Sequence, residues 1–280
     1  MNRNLLSPFG LKWNPFSPDV PTEALQVTPR LENFCWRLEN LAREGGFALV
    51  SGAPGSGKSA ALRVLVERLS ALPDVKVGIF TRPQTALADF YRELGDLFGV
   101  QLAPHNRWAG SKALRERWQT HIDAALFRPV LVIDEAQEMQ APVLNELRLL
   151  CSSRLDSHFL LTTVLGGDGR LIERFRAEEL LPLASRMRVH LALDRASPEE
   201  LNACLKHSLA KAGNAKLMTP ELMATLCEHA AGNHRALMTM AGELLAEGAR
   251  REVRQLDEKL YFDVFTPSEP AKAAAGARRR

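Results

Sequence analysis

The chain has 280 residues, enough for one large domain or for a main domain with a small satellite. Its 46% hydrophobic and 25% charged residues are typical of a globular protein, and a net charge of +3 permits a nucleic-acid partner without requiring one. No run approaches the roughly 20 apolar residues that span a bilayer, and the polar N-terminus is unlike a signal peptide, so no membrane partner is expected. The four cysteines lack the spacing of a zinc site or a disulfide framework, which favours a reducing, cytoplasmic location.

Residues 1–29 are predicted to form an extended arm. Prolines interrupt this segment, which includes PFGLKWNPFSPDVP, yet its aromatic and aliphatic side chains require burial. We therefore expect the arm to pack on a folded body, either its own or a neighbour's. Thr28 and Pro29 then fit the N-cap and the first position of a helix, which Gly45 and Gly46 end.

Strands and helices alternate in the core domain that the sequence predicts over residues 30–195. The apolar runs are continuous, which is typical of parallel strands covered on both faces. The sequence therefore predicts an α/β fold with a parallel five-stranded sheet between helices. The predicted strands are FALVSG (47–52), VKVGIF (75–80), PVLVID (129–134), HFLLTTVLG (158–166) and MRVHLAL (187–193), and the predicted helices between them cover 58–70, 84–98, 111–126 and 141–150.

Only helices are predicted in residues 196–265. SPEE at 197–200 is a capping box, Thr219 with Pro220 opens a second helix, and a third begins near Asn233. This block is predicted to be a small all-helical lid. Residues 266–280, which end in AKAAAGARRR, are predicted to be a basic, disordered tail.

GAPGSGKS, residues 52–59, matches the phosphate-binding pattern G-x-x-x-x-G-K-[ST] in full. It follows a predicted strand and begins a predicted helix, which is the context that this motif requires. The glycines allow backbone N–H groups to surround phosphates, Lys58 would reach the β- and γ-phosphates, and Ser59 would bind Mg²⁺. The expected cofactors are ATP and Mg²⁺, and the candidate nucleotide-binding residues of the loop are Gly52, Pro54, Gly55, Ser56, Gly57, Lys58, Ser59 and Ala60.

LVIDEAQE places an acidic pair at the end of a predicted strand downstream of the phosphate loop. Asp134 is positioned to hold Mg²⁺ through water, together with Ser59, and Glu135 can deprotonate an attacking water. An adjacent glutamate favours hydrolysis over phosphoryl transfer to a small molecule. One predicted strand separates the loop from Asp134 in the chain, which resembles the additional-strand ATPases.

Two further features resemble the AAA+ ATPases. GNHRALM (232–238) starts the third helix of the lid, and the resemblance implies that Arg235 is the second-sensor arginine, which contacts the γ-phosphate of its own subunit. SRM (185–187) precedes the fifth predicted strand, where many AAA+ proteins carry an arginine finger that stabilises transition-state charge in the neighbouring subunit. Arg186 is the first candidate for this finger and Arg188 the second. The alternative is that both arginines only hold a strand edge.

The resemblance also implies a polar first-sensor residue at the tip of the fourth predicted strand, and this segment reads TTVLGGDGRL. Asp168 aligns best, although a carboxylate near a γ-phosphate is electrostatically unfavourable. Either Asp168 faces away and Thr162 or Thr163 replaces it, or hydrolysis is slow. Slow hydrolysis would suit a switch better than a motor.

The order of several motifs resembles the ExeA-like ATPases more specifically. FGLKWNPFSPDV is similar to their FGL-x-x-NPF opening, VLGGDGRL to their VLVGQPEL, and AGNHRALMTMAGELL to their GxPRxIN-type lid helix. LASRMRVHLAL matches their helix-to-strand arginine segment. These motifs cover most of residues 5–250. The departures are Asp168, which replaces a glutamine, and His234, which replaces a proline.

Within this group the chain is similar to transposon-encoded regulators of the TnsC, TniB, IstB and MuB kind. Such proteins assemble with ATP into rings or helical filaments on duplex DNA, mark a target site and activate a transposase. The resemblance implies a homo-oligomer whose partners are double-stranded DNA and a transposase or integrase. No transmembrane helix follows the lid in this sequence, unlike in the secretion-associated members. The alternatives are a cytosolic ATPase that serves a secretion or envelope machine, and a nucleotide switch that does not use DNA.

NRWAGSKALRERWQT (106–120) carries an excess of positive charge with two interleaved tryptophans. Contacts from such a segment would mostly reach phosphates and carry little sequence information. Arg107, Lys112 and Arg115 are the candidate DNA-binding residues, and a solvated amphipathic helix is the alternative. The terminal arginines, 278–280, could hold DNA or an acidic partner, or have no role.

Overall fold

The described residues divide into two structural units. The computed structural model describes residues 6–101, 107–153 and 157–265, so the predicted basic tail, 266–280, lies outside the described residues. None of the helices in these ranges has the length and apolar character that crossing a bilayer requires. An α/β unit contains residues 21–197 and 232–235, and a helical unit contains residues 6–20, 198–231 and 236–265.

A parallel five-stranded sheet forms the centre of the α/β unit. Its strands lie side by side in the order β2–β3–β4–β1–β5, so β4 is inserted between the strand before the phosphate loop and the strand before Asp134. This is the additional-strand arrangement. Because the strands are parallel, their carboxyl ends meet at one edge of the sheet. The strands are β1 (Gly46–Gly52), β2 (Val75–Phe80), β3 (Arg128–Ile133), β4 (Thr162–Gly167) and β5 (Met187–Leu193).

Helices cover both faces of this sheet. The Thr28 hydroxyl accepts a hydrogen bond from the Leu31 N–H (3.3 Å), which is the N-cap predicted for the first helix. The helices are α1 (Pro29–Glu44), α2 (Lys58–Ser70), α3 (Leu87–Phe98), α4 (Arg107–Asp123), α5 (Ala141–Cys151), α6 (Gly169–Phe175) and α7 (Leu181–Ala184).

Alternate residues of the three inner strands, β1, β3 and β4, enter two separate apolar layers. On one face, Phe47 and Leu49 of β1 pack in a cluster with residues of α3, α4, α5 and α6, including the fully buried Trp118. On the other face, Ala48 and Val50 pack in a cluster with residues of α1 and α2. Strands that are buried on both faces have no polar side, and this explains the continuous apolar runs in the sequence.

The predicted strand 158–166 is wrong in its first part. His158–Phe159 pairs antiparallel with Ser152–Ser153, and the sheet strand β4 begins only at Thr162. The two leucines between them are buried although they lie outside both strands. An apolar run therefore continues through an irregular connection, and periodicity alone does not reveal where the strand begins.

In the described part of the helical unit, four α-helices pack with the N-terminal residues, which include the short 3-10 helix Ser7–Phe9. The Lys12 N–H donates to the Ala212 carbonyl (2.9 Å), and the Asn214 side-chain amide donates to the Phe9 carbonyl (2.9 Å). Residues 6–20 thus pack on helices of their own chain, with Phe9 buried. The helices are α8 (Pro198–Ala212), α9 (Pro220–Ala230), α10 (His234–Arg250), whose first two residues belong to the α/β unit, and α11 (Glu258–Phe265).

All four cysteines are free thiols. Burial raises the pKa of Cys35 to about 11 and the pKa of Cys151 to about 12. These two thiols therefore stay protonated near neutral pH, where the protonated form is a poor nucleophile.

Candidate functional site

The phosphate loop joins β1 to α2 at the carboxyl edge of the sheet. Its backbone requires glycine at two positions, because Gly55 has φ +81° and Gly57 has φ +98°. Lys58 is buried, and its ammonium group donates to the carbonyl of Gly52 (2.9 Å) and to the carbonyl of the next residue (3.2 Å). The buried Ser56 hydroxyl has no hydrogen-bond partner among the described residues. A buried cation and an unused donor in one loop fit a bound phosphate chain.

The segment Gly232–Arg235 contacts this loop within the α/β unit. The Asn233 side-chain amide donates to the Pro54 carbonyl (3.3 Å), and the Arg235 N–H donates to the Gly55 carbonyl (3.3 Å). The approach is close, because a Cβ added at Gly55 would stand 2.1 Å from Oδ1 of Asn233. These two contacts engage carbonyl groups of the loop and use none of its N–H groups. The Arg235 side chain itself is exposed.

Asp134 and Ser59 meet at the carboxyl end of β3. The Ser59 hydroxyl donates to Oδ2 of Asp134 (2.7 Å), and the Glu135 N–H donates to Oδ1 (2.9 Å). A Cβ added at Gly166 of β4 would stand 3.0 Å from Oδ1 of Asp134, so only a small residue fits beside the carboxylate. A serine hydroxyl and a carboxylate are oxygen ligands that suit Mg²⁺, which retains several waters of its own. The chemistry of this pair therefore fits the predicted metal.

Glu135 is exposed next to this pair and has φ +53°, a left-handed conformation that is uncommon for residues other than glycine. Its carboxylate accepts a hydrogen bond from the side-chain amide of Gln137. Gln137 lies in the three-residue 3-10 helix Ala136–Glu138 and is buried. Gln137 is not among the site residues that the sequence predicts. The sequence signal for Gln137 is a polar residue in the turn directly after the strand and the acidic pair.

Asp168 follows β4 and caps helix α6. Its carboxylate accepts from the Arg170 N–H (2.9 Å) and from the Arg170 guanidinium at 2.9 to 3.2 Å. The hydrogen bond to Asp168 also raises the pKa of Arg170, and that guanidinium contacts Glu138 at 2.9 Å. The negative charge of Asp168 is therefore paired, which lessens the objection to a carboxylate near a phosphate.

Thr162 and Thr163 lie at the opposite end of the same strand. Thr162 pairs with Gly46 in the sheet, whereas the carboxyl end of β4 pairs with Ser51, just before the phosphate loop. Both hydroxyls are buried, with contacts to the Leu41 carbonyl (3.4 Å) and to Sγ of Cys151 (3.2 Å) respectively. The geometry does not bring either threonine to the nucleotide side, so the threonine alternative for the first sensor is wrong.

Arg186 and Arg188 lie at the amino edge of the sheet, remote from the phosphate loop. Met187 pairs with Phe47, whereas Gly52 pairs with the last residue of β5. At about 3.3 Å per residue, the strand alone separates these arginines from the loop by roughly 20 Å. The Arg186 guanidinium donates to the Pro182 carbonyl (2.5 Å), and the Arg188 guanidinium contacts the Glu44 carboxylate (2.8 Å). The structure does not bring either one to the site of its own chain.

The basic segment before β3 forms helix α4, which begins at Arg107, and the side chain of Arg107 lies outside the described residues. Lys112 lies 3.7 Å from Glu116, and the Arg115 guanidinium donates to the Leu149 carbonyl (3.3 Å). Trp118 of the same helix is fully buried in the core. The DNA-binding role of these residues stays a prediction.

The sheet order and the phosphate loop at its carboxyl edge define the fold of the AAA+ P-loop NTPases. Residues 41–175 match the family model described as an AAA domain. The chain is 30% identical over 223 residues to the general secretion pathway protein A of Aeromonas hydrophila. That match covers 78% of this chain but only 40% of the relative's length. In sequence, the chain therefore resembles AAA domains and the ExeA-like group.

Solved structures with the same fold include three proteins at low sequence identity. Cdc6p from Pyrobaculum aerophilum has a TM-score of 0.69 at 14% identity, covering 86% of this chain and 67% of that one. The Aeropyrum pernix ORC1 protein in complex with DNA has a TM-score of 0.67 at 18% identity, covering 89% and 67%. The Thermotoga maritima RuvB Holliday junction branch migration motor has a TM-score of 0.57 at 13% identity, covering 89% and 72%. At these identities the likeness concerns the fold alone.

Proposed function

We propose that the chain is an AAA+ ATPase that binds ATP and Mg²⁺ at the carboxyl edge of its sheet and hydrolyses ATP slowly. Lys58 and the loop N–H groups would hold the β- and γ-phosphates, with Arg235 on the γ-phosphate. Ser59 and Asp134 would hold Mg²⁺, which when bound offsets negative charge on the phosphates. Glu135 would accept the proton of the attacking water.

The observation that carries this proposal beyond nucleotide binding is the separation between Lys58 and Arg186 by the length of the sheet. One subunit cannot deliver Arg186 to its own γ-phosphate, so we infer that the arginine enters the site of a neighbouring subunit. Hydrolysis would then require a homo-oligomer, either a ring or a helical filament, and would rise on assembly. Arg186 is the better candidate because the guanidinium of Arg188 contacts the Glu44 carboxylate.

The finer proposal is that this oligomer forms on double-stranded DNA in the cytoplasm and regulates transposition by recruiting a transposase or integrase. It rests on the resemblance of the chain, within the ExeA-like group, to the transposon-encoded regulators. Lys112 and Arg115, with Arg107, would contact phosphates, so binding should weaken steeply as salt rises. ORC1 in complex with DNA and the RuvB motor share the fold, which makes duplex DNA the first ligand to test.

The second candidate is an ATPase that serves a secretion or envelope machine. The 30% identity to general secretion pathway protein A favours it. In that case the assembly would respond to a protein partner, and its ATPase rate would not depend on DNA.

Electron microscopy of the protein with a non-hydrolysable ATP analogue, with and without duplex DNA, separates these functions. Rings or filaments that require both nucleotide and DNA, and an ATPase rate that DNA raises, would support the transposition proposal. Nucleotide-dependent assemblies that ignore DNA would favour the secretion candidate or a DNA-independent switch. Monomers under every condition, with ATP turnover unaffected by protein concentration, would overturn the oligomeric ATPase itself.

A further inference from the structure

Gln137 is a buried polar side chain between Glu135 and the tip of β4. Only 6% of its surface is exposed, although it lies in the short turn directly after the acidic pair. Burying a carboxamide is costly unless both its oxygen and its nitrogen find partners. The partners of Gln137 are therefore informative about why an amide stands at this position.

Both ends of the amide are engaged. Its oxygen accepts from the Asp168 N–H (3.2 Å), and its nitrogen donates to the Glu135 carboxylate. A backbone N–H can only donate and an ionised carboxylate can only accept, so the chemistry of the two partners decides which way the amide faces. The main-chain carbonyl of Gln137 also accepts from the Arg174 guanidinium (2.6 Å), which ties the turn to helix α6.

The charged groups around this amide have other partners. The Asp168 carboxylate contacts Arg170, which also reaches Glu138, and the Asp134 carboxylate accepts from Ser59. A Cβ added at Gly167 would stand 3.0 Å from Oε1 of Gln137, so β4 packs tightly against the amide.

We propose that Gln137 is a positioning residue for the Glu135 carboxylate and joins it to the tip of β4. The inference rests on the proposed function, in which Glu135 is the general base for ATP hydrolysis. An exposed glutamate without such a contact would sample several rotamers, and only some of them would point at the attacking water. The amide limits this freedom and contributes no proton transfer itself, so its loss should lower kcat and leave ATP binding intact.

The test compares Gln137→Met and Gln137→Glu with the wild type in steady-state ATP hydrolysis between about pH 4 and pH 9, a range that includes the ordinary titration of carboxyl groups. Methionine keeps the length of the side chain but cannot donate to Glu135. We expect Gln137→Met to lower kcat about 10- to 100-fold, with KM within about threefold of the wild type.

Gln137→Glu places a second carboxyl group against Glu135, and two adjacent carboxyl groups tend to share a proton. The acidic limb of the kcat profile should therefore move up by about one pH unit.

Gln140→Glu is the matched control, because the same change of charge is made on an exposed residue of the next turn. It should leave kcat, KM and the pH profile unchanged.

The Glu135→Gln variant tests the proposed function independently of Gln137. If the wild type hydrolyses ATP and Glu135→Gln does not, the proposed function is supported. If Gln137→Met and Gln137→Glu then keep the wild-type kcat and pH profile, the positioning role is excluded while the ATPase function stands. If Gln137→Glu fails to fold, as judged by thermal unfolding, the kcat and KM of Gln137→Met decide.

Discussion

The two edges of the sheet carry charged groups in different ways. At the carboxyl edge, groups from separate elements converge. The Ser59 hydroxyl of α2 donates to the Asp134 carboxylate after β3, and the side chain of Gln137 accepts from the Asp168 N–H after β4. At the amino edge, Arg186 contacts a carbonyl of its own turn and Arg188 contacts Glu44. No phosphate loop lies beside these arginines, since the loop follows the other end of β1.

Under the proposed function, the two edges of the sheet supply different parts of one active site. The carboxyl edge carries the candidate phosphate- and metal-binding residues, and neither Arg186 nor Arg188 of the same chain lies there. The amino edge offers cations at the surface without an anion site of its own. Two copies of the chain, with the amino edge of one against the carboxyl edge of the other, would complete the set.

Lys58→Ala should have the largest effect, because it removes the buried cation of the carboxyl edge. We expect ATP binding to weaken by about 100-fold or more, since the loss of one member of a buried charge contact costs several kcal/mol. Titration with a fluorescent ATP analogue measures the change. Lys76→Ala is the control, because it also removes a lysine ammonium group. That group lies over the Phe127 ring and outside the phosphate loop. Equal affinities of the two variants would contradict the site.

Arg186→Ala should leave ATP binding by a single subunit unchanged and lower the turnover of the assembly by about 10³-fold. Arg188→Ala is the comparison, and we expect a smaller loss because that arginine contacts Glu44. Mixing Arg186→Ala with Glu135→Gln should restore turnover, since a subunit with an intact finger then adjoins one with an intact base. A mixture no more active than its components would exclude an arginine that acts between subunits.

Gly55→Ala should disturb the loop through its backbone. The residue has φ +81°, and the added Cβ would stand 2.1 Å from Asn233, so strain of about 1–3 kcal/mol is expected. Chemical unfolding should show this loss of stability, and the KM for ATP should rise. Gly169→Ala is the control, because nothing lies within 4 Å of a Cβ added there. If both variants behave as the wild type, the contact between Asn233 and the loop has no energetic weight.

Asp168→Asn should have the smallest effect. It removes the ion pair with Arg170 but keeps an oxygen that can cap α6, so a loss of stability below about 1 kcal/mol is expected. Turnover should stay within about threefold of the wild type if the carboxylate only caps and pairs. A change in kcat of about tenfold or more, at unchanged stability, would assign Asp168 a direct part in the chemistry.

Much of the fold follows from local patterns. The phosphate loop, the acidic pair and the N-cap at Thr28 are local features, because a few neighbouring residues supply all their chemistry. The apolar pattern predicts a start of β4 that is too early, because Leu160 and Leu161 are buried but do not pair with a neighbouring strand. Burial and strand pairing are separate properties, and a one-dimensional apolar pattern reports only burial.

The sequence by itself determined the kind of site, because phosphate and metal binding depend on residue types at short, regular spacing. The tertiary structure alone decided the long-range partners: Asp134 for Ser59, Asn233 for Gly55, and the Asp168 N–H for Gln137. It also decided which edge each motif occupies, and so excluded Thr162 and Thr163 while separating Arg186 from Lys58. These outcomes depend on which strands pair and in what register, and such contacts join residues far apart in the chain.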